Sequence, residues 1–343
     1  MTSRAGGERG GRPVGRECPE GLIGWVEGRT GGALLLCVGG LHGNEPAGVR
    51  ALEEVVAQVE TRRHLLAGDF VAVAGNLRAL DAGRRFLSYD LNRAWTPARI
   101  EAARARRRSG GGDGVPAEDA ELFRMLAALE RVSARRRGPV YVLDLHSTSG
   151  GGGPFSTAAD MPAHRRFAMS IPVPMVQQLN QHLEGTLTHY LDGLGYTAAV
   201  FESGQHEEPE ARVRAASAVW LAIRAAGLLA DPDAPEARRG YRALERECRR
   251  LPRLLEMTYR HPIEDEDRYV MRPGFLSFQP IRAGDVVGDD RHGEVVAPKS
   301  GRILMPLYQE LGEDGFFVVR DAWFPESAVR RPARVAGMCA PGG

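Results

Sequence analysis

Along the first two thirds of the chain, short apolar runs alternate with longer stretches in which apolar residues recur every three or four positions. The runs at 33–38, 70–74, 140–145 and 198–201 predict buried strands. That at 140–145 is β-branched and bounded by Gly138-Pro139 on one side and Ser147-Thr148-Ser149-Gly150 on the other. Stretches at 47–60, 117–132, 185–194 and 211–229 carry the helical period. Strands alternating with helices predict an α/β layer architecture around a largely parallel or mixed sheet.

The pattern changes near residue 231. Residues 231–253, with Pro232, Pro235 and many arginines, read as a charged helical bridge. Beyond them turn signals recur at Pro273-Gly274, Ala283-Gly284-Asp285, Arg291-His292-Gly293, Lys299-Ser300-Gly301 and Gly312-Glu313-Asp314-Gly315, a spacing that predicts a small all-β, barrel-sandwich-like domain. The stretch 293–303 reads as a structural hairpin of that domain, because Lys299 lacks the preceding acidic residue of a swinging-arm carrier. Residues 104–114, rich in Arg and Gly, read as an exposed loop between helices. The expected division is a disordered tail at 1–20, an α/β domain at 21–235, a helical linker at 236–253 and a β domain at 254–335.

Composition narrows the picture. A chain of 343 residues exceeds what one core usually supports, in agreement with two domains. Lys and Arg at 45 against Asp and Glu at 44 leave a net charge of +1, so no global field draws the chain to nucleic acid or an anionic membrane. The arginine run at 104–108 stands unaccompanied and reads as solvated surface. Cys18, Cys37, Cys248 and Cys339 are far apart, which suggests neither a disulfide framework nor a thiolate metal site. No stretch approaches the ~18 consecutive apolar residues of a membrane span, and the first twenty residues lack an apolar signal core. A cytoplasmic protein without a membrane partner is expected.

Four segments carry candidate chemistry. His42 and Glu45 lie in Gly40-Leu41-His42-Gly43-Asn44-Glu45, where a strand gives way to a helix opened by Pro46, and both can reach one cation. His146, closing the run at 140–145, can supply a third ligand. Zinc accepts imidazole nitrogen and carboxylate oxygen at about 2.0–2.2 Å, and catalytic sites commonly use three protein ligands plus water. One Zn2+ per chain is therefore expected. Asp144 shares a strand face with His146 and could orient an imidazole. Glu202 ends the run at 198–201, and an isolated carboxylate at the end of a buried strand is costly unless paired or functional. Arg85 and Asp90-Leu91-Asn92-Arg93 offer guanidinium groups and an amide, donors suited to a carboxylate and to a developing oxyanion. Arg93 could instead pair with Asp90. The Gly-rich segment at 147–153 lacks the Gly-Lys-Ser/Thr ending of a phosphate loop, and His206 could line the pocket but reads more readily as incidental at the start of a helix.

At these residues the chain resembles the succinylglutamate desuccinylase and aspartoacylase family of the zinc carboxypeptidase-like superfamily, from about residue 22 to 324. The resemblance implies an α/β/α sandwich with a mixed central sheet followed by the β domain. It implies a zinc-dependent amidohydrolase or deacylase acting on an N-acyl amino acid or similar small carboxylate. His42, Glu45 and His146 would be the metal ligands, Glu202 the general base, Arg85 the group facing the tetrahedral oxygen, and Asn92 with Arg93 the holders of the substrate carboxylate. Two positions depart from characterised aspartoacylases. Asp192 stands where they carry an arginine ten residues before the glutamate, and Gly315-Phe316 stands near their C-terminal tyrosine, with Tyr308 close by. The acyl group therefore stays open. A zinc carboxypeptidase acting on peptides and a non-catalytic binding protein retaining the fold are the alternatives.

Overall fold

The computed structural model describes residues 20–323, apart from 30, 110–113, 180–182 and 231–232. The expected tail up to residue 19, Cys18, His182, Pro232, Cys339 and the last part of the expected β domain lie outside the described residues.

At the centre β3 (Asp69–Ala74), β2 (Leu34–Gly39), β4 (Val140–Thr148) and β7 (Thr197–Gln205) run parallel in that spatial order. β1 (Leu22–Val26) adds antiparallel to β3, and β5 (Phe155–Thr157) antiparallel to β7. Strand alternation gives these strands two apolar faces, so helices cover both. Leu34, Leu36, Val38, Val71, Val73 and Val142 face α3 (Pro97–Arg108), α4 (Ala117–Arg135) and α6 (Leu187–Gly193). Leu35, Cys37, Phe70, Ala72, Leu143 and Leu145 face α1 (Pro46–Glu60), α5 (Pro162–Ala168) and α7 (Pro209–Ala225). The result is the α/β/α sandwich.

The sheet does not stop there. β6 (Met175–Gln177) pairs parallel with both β5 and β8 (Leu254–Pro262), and β14 (Asp314–Asp321), β13 (Gly301–Leu304) and β10 (Pro280–Ile281) follow, making one mixed sheet of eleven strands among the described residues. β9 (Val270–Met271), β11 (Val286–Asp290) and β12 (Gly293–Val296) form a smaller antiparallel sheet. Phe155, Val176, Leu255, Met257, Phe278 and Phe317 pack in one cluster where the halves meet.

Two local expectations change, and a third element appears as the expected helix. The stretch 293–303 is not a hairpin: β12 pairs with β11, whereas β13 pairs with β14 and β10, so the chain crosses from one sheet to the other. The Ala297 N–H bonds to Asp285 O and Lys299 Nζ donates to Thr258 O at 2.7 Å, which anchors the crossing. Residues 104–108 belong to α3 rather than to a loop. Thr96 caps that helix, Ile100 and Ala103 face the core, and the arginines of its last turn suit the negative end of the helix dipole. The charged stretch after residue 234 forms α8 (Pro235–Cys248), which lies along α7 and buries Ala237, Gly240, Leu244 and Cys248. Among the described residues, no helix is long and apolar enough to cross a membrane.

Candidate active site

The centre is assembled where β2, β4 and β7 emerge from the core. Gly40, at φ 72°, turns the chain out of β2, and Gly43 passes so close to α2 (Leu77–Ala82) that a Cβ there would lie 2.0 Å from the Ala79 carbonyl carbon. This tight loop brings His42 and Glu45 together ahead of Pro46. Glu45 occupies the N-cap position of α1, yet its side chain makes no cap bond. It points into the cluster instead, with Oε1 2.8 Å from His42 Nδ1 and Oε2 3.0 Å from both His146 Nδ1 and the Ser147 N–H.

Both imidazoles thus turn Nδ1 toward Glu45, and a carboxylate backs each Nε2. Asp90 Oδ1 lies 3.1 Å from His42 Nε2, and Asp144 Oδ2 lies 3.1 Å from His146 Nε2 at an angle outside hydrogen-bond geometry. One donor atom from each of His42, Glu45 and His146 falls within 4.8 Å of the others, and all three residues are buried. Two imidazole nitrogens and one carboxylate oxygen, with carboxylates behind the rings, are a donor set that fits zinc. Burial alone would raise the Glu45 and Asp90 carboxyls, but the neighbouring histidines, with Arg85 at Asp90, hold both well below the usual range. Burial alone would lower His146, but Asp144 and Glu45 hold it well above the usual value.

Parallel pairing places Glu202 of β7 directly beside His146 of β4. Glu202 is only 8% exposed, and its Oε2 has no hydrogen-bond partner in the protein. Burial pushes its carboxyl up to about 8. β4 and β7 extend past the predicted ends, to Thr148 and Gln205, so His146 and Glu202 sit within strands.

The segment from Arg85 to Arg93 runs along the same cleft. Arg85 Nη2 donates to Asp90 Oδ2 at 3.0 Å, and its Nη1 lies 3.6 Å from Glu45 Oε1. Asn92 Oδ1 accepts from the Leu187 N–H at 2.9 Å, which leaves Nδ2 on the cleft side, 3.5 Å from His146 Nε2. Arg93 does not pair with Asp90. Its Nε donates to Glu313 Oε2 at 2.9 Å and its Nη1 to Asn92 O at 3.0 Å. All seven predicted site residues line one cleft.

Sequence reasoning did not single out Glu118 or Gln309, and it set His206 aside. Glu118, fully buried at the start of α4, accepts from the Leu87, Ser88 and Tyr89 N–H groups and from Asn76 Nδ2, and so fixes the loop that carries Arg85 and Arg93. An acid in a helix's first turn was its only signal in the sequence. His206 is part of the cleft rather than incidental: Nδ1 lies 2.8 Å from Ser147 Oγ and Nε2 3.2 Å from Gln309 Oε1. The amide oxygen can only accept, so Nε2 carries the proton and Nδ1 accepts from the serine. Burial lowers the His206 pKa, consistent with a neutral ring. Gln309 Oε1 also accepts from Asn44 Nδ2 at 2.9 Å, tying the β2–α1 loop to the C-terminal half. Of the two departing positions, Asp192 Oδ1 lies 3.2 Å from His164 Nδ1 without a hydrogen bond, and Gly315-Phe316 lie in β14; neither lines the cleft, nor does nearby Tyr308, whose hydroxyl donates to Arg272 O at 2.8 Å.

Comparison with known proteins shows the family and the fold. Residues 31–219 match the family model described as the succinylglutamate desuccinylase/aspartoacylase catalytic domain. A succinylglutamate desuccinylase of Photorhabdus laumondii is 34% identical over 74 residues, a match spanning 22% of this chain and 23% of that relative. The succinylglutamate desuccinylase/aspartoacylase structure from Rhodobacter sphaeroides superposes with a TM-score of 0.61 at 16% identity, covering 87% of each chain. The product-bound ectoine utilization protein EutE (DoeB) of Ruegeria pomeroyi gives 0.58 at 18% identity, again over 87% of each chain. At such identities the superpositions show a shared fold.

Proposed function

The chain belongs to the succinylglutamate desuccinylase/aspartoacylase family, and from that premise we propose that it is a zinc-dependent hydrolase of N-acyl amino acids or similar small acylated carboxylates. The carrying observation is the bare, buried Glu202 carboxylate beside His146, next to a donor set suited to zinc. His42, Glu45 and His146 would hold the ion, with Asp90 and Asp144 fixing the rings. When bound, zinc supplies a water of lowered pKa and polarises the scissile carbonyl.

The chain's own groups do the rest. Glu202 takes the proton of the attacking water and passes it to the leaving amine, assistance worth typically about 10²–10⁴-fold. Arg85, held by Asp90, presents a fixed positive charge to the tetrahedral oxygen. Asn92 Nδ2 and Arg93 hold the substrate carboxylate; for Arg93 this exchanges the bond to Glu313, whose side chain is 54% exposed. We also assign the segment from Leu254 onward the role of a second unit that walls the cleft, since Met305, Pro306, Leu307 and Gln309 line it opposite the strand ends. Such a wall favours small substrates over extended peptides.

Metal analysis and turnover on purified variants test the assignment. The wild type should carry about one zinc per chain, and His146→Ala should lose most of it. Glu202→Gln should keep its zinc while kcat falls by about 10² or more. Glu45→Gln should lose zinc and activity together. Near-wild-type kcat in Glu202→Gln, or unchanged zinc in His146→Ala, would overturn the reading.

A further inference from the structure

The charges lining the cleft are unevenly matched. Among the described residues that line it, the guanidinium groups are those of Arg85 and Arg93, and lysine is absent. Arg85 is committed to Asp90 and Glu45. Arg93 is therefore the one lining guanidinium open to a substrate carboxylate, and it already faces Glu313. Asp314 lines the cleft beside Glu313 and is ion-paired to Arg260. A second substrate carboxylate would meet Glu313 and Glu202 with no further lysine or arginine among the described lining residues to receive it, and burying an unpaired charge is strongly unfavourable.

Another wall offers the opposite chemistry. Leu179, Leu183, Met305 and Phe317 line the cleft and belong to the apolar cluster where the halves meet. Leu183 and Met305 are only partly buried, so apolar surface remains to be covered there. Resting on the hydrolase reading above, we propose that the substrate class is an N-acyl amino acid with a single carboxylate and an apolar group, the carboxylate on Arg93 and the apolar group against Leu179, Leu183, Met305 and Phe317. Glu313 disfavours dicarboxylic substrates by charge, and the apolar wall rewards burial of hydrocarbon.

The test uses binding as well as turnover. Zinc-loaded Glu202→Gln protein is titrated calorimetrically with N-acetylmethionine, N-acetylaspartate and N-succinylglutamate, and the wild type is assayed for free amine with the same three. N-Acetylmethionine should bind at least about tenfold more tightly than either dicarboxylic compound, within the range one hydrophobic subsite can supply. Adding Glu313→Gln should narrow that ratio for N-acetylaspartate several-fold, because it removes a repelling charge at an exposed position. Equal or tighter binding of a dicarboxylic compound, or a ratio unmoved by Glu313→Gln, overturns the proposal. Reversed preference with turnover overturns only the specificity. Tight binding of N-acetylmethionine without wild-type turnover of any compound overturns the hydrolase reading and upholds the specificity. Binding of none overturns both.

Discussion

At the scale of single residues, the two nitrogens of each histidine divide the work: Nδ1 faces Glu45, and Nε2 faces Asp90 or Asp144. The three residues that meet in this cluster were legible from local signals. His42 and Glu45 share one turn, and His146 directly follows an apolar run whose strand pattern is clear. Asp144 was legible for the same reason, lying two residues from the histidine it backs. Asp90 was not, because it meets His42 across 48 residues, and its position next to Arg93 suggested a different partner. His206 depends on Gln309, 103 residues further on, which no local pattern announces. If Asp90 sets the orientation and basicity of His42, Asp90→Asn should lower zinc affinity by about 10–100-fold, measured by competition with a chelator. An affinity equal to wild type would mean that the Asp90–His42 contact does not tune the site.

At the scale of elements, segments with a clear apolar period were read correctly, and those without one were not. β2, β3, β4 and β7 and helices α1, α4, α6 and α7 all appear near their predicted places. β5 and β6 have three residues each and α2 six, too few to display a period, and tertiary pairing defines them. The site's least regular element is the loop from Gly83 to Asp90, which Glu118 fixes by accepting three backbone N–H groups and one amide. Glu118→Gln replaces one of those two acceptor oxygens with an NH2 group facing backbone donors. The variant should lose about 1–3 kcal/mol of stability per stranded donor in denaturant unfolding. Its KM should rise because Arg93 and Asn92 are displaced, while zinc stoichiometry should stay unchanged. Lost zinc with unchanged KM would place the influence of Glu118 on the metal loop instead.

At the scale of the whole molecule, strands alternating with helices foretold an α/β layer architecture and the family resemblance implied the α/β/α sandwich, but periodicity cannot say which strand pairs with which. Hence the joining of β6 to β8 was not legible, although it carries the sheet from one half of the chain into the other. The same closure removes the site from water and links its protonation to folding. Glu202, raised to about 8 by burial, and His146, raised by its carboxylates against the effect of burial, keep protons in the folded metal-free chain that the unfolded chain releases. Where the folded state binds more protons, stability falls as pH rises. His206, lowered by burial, acts oppositely, but only up to its ordinary value near 6.5. Glu45 and Asp90, both held low, act only below the usual carboxylate range. Between pH ~6.5 and ~8 the losses therefore prevail, at up to about 1.4 kcal/mol per pH unit for each proton retained. Zinc requires its ligands free of protons and displaces those the site retains, so its stabilisation should grow over the same interval. Thermal melts at pH 6.5, 7.2 and 8, with chelator and with zinc, should show a falling metal-free Tm and a widening gap between the two curves. A metal-free Tm that is flat or rises across this window would mean that the buried Glu202 carboxylate and the His146 imidazole are not holding protons, and that charge is compensated at the site by groups other than those described.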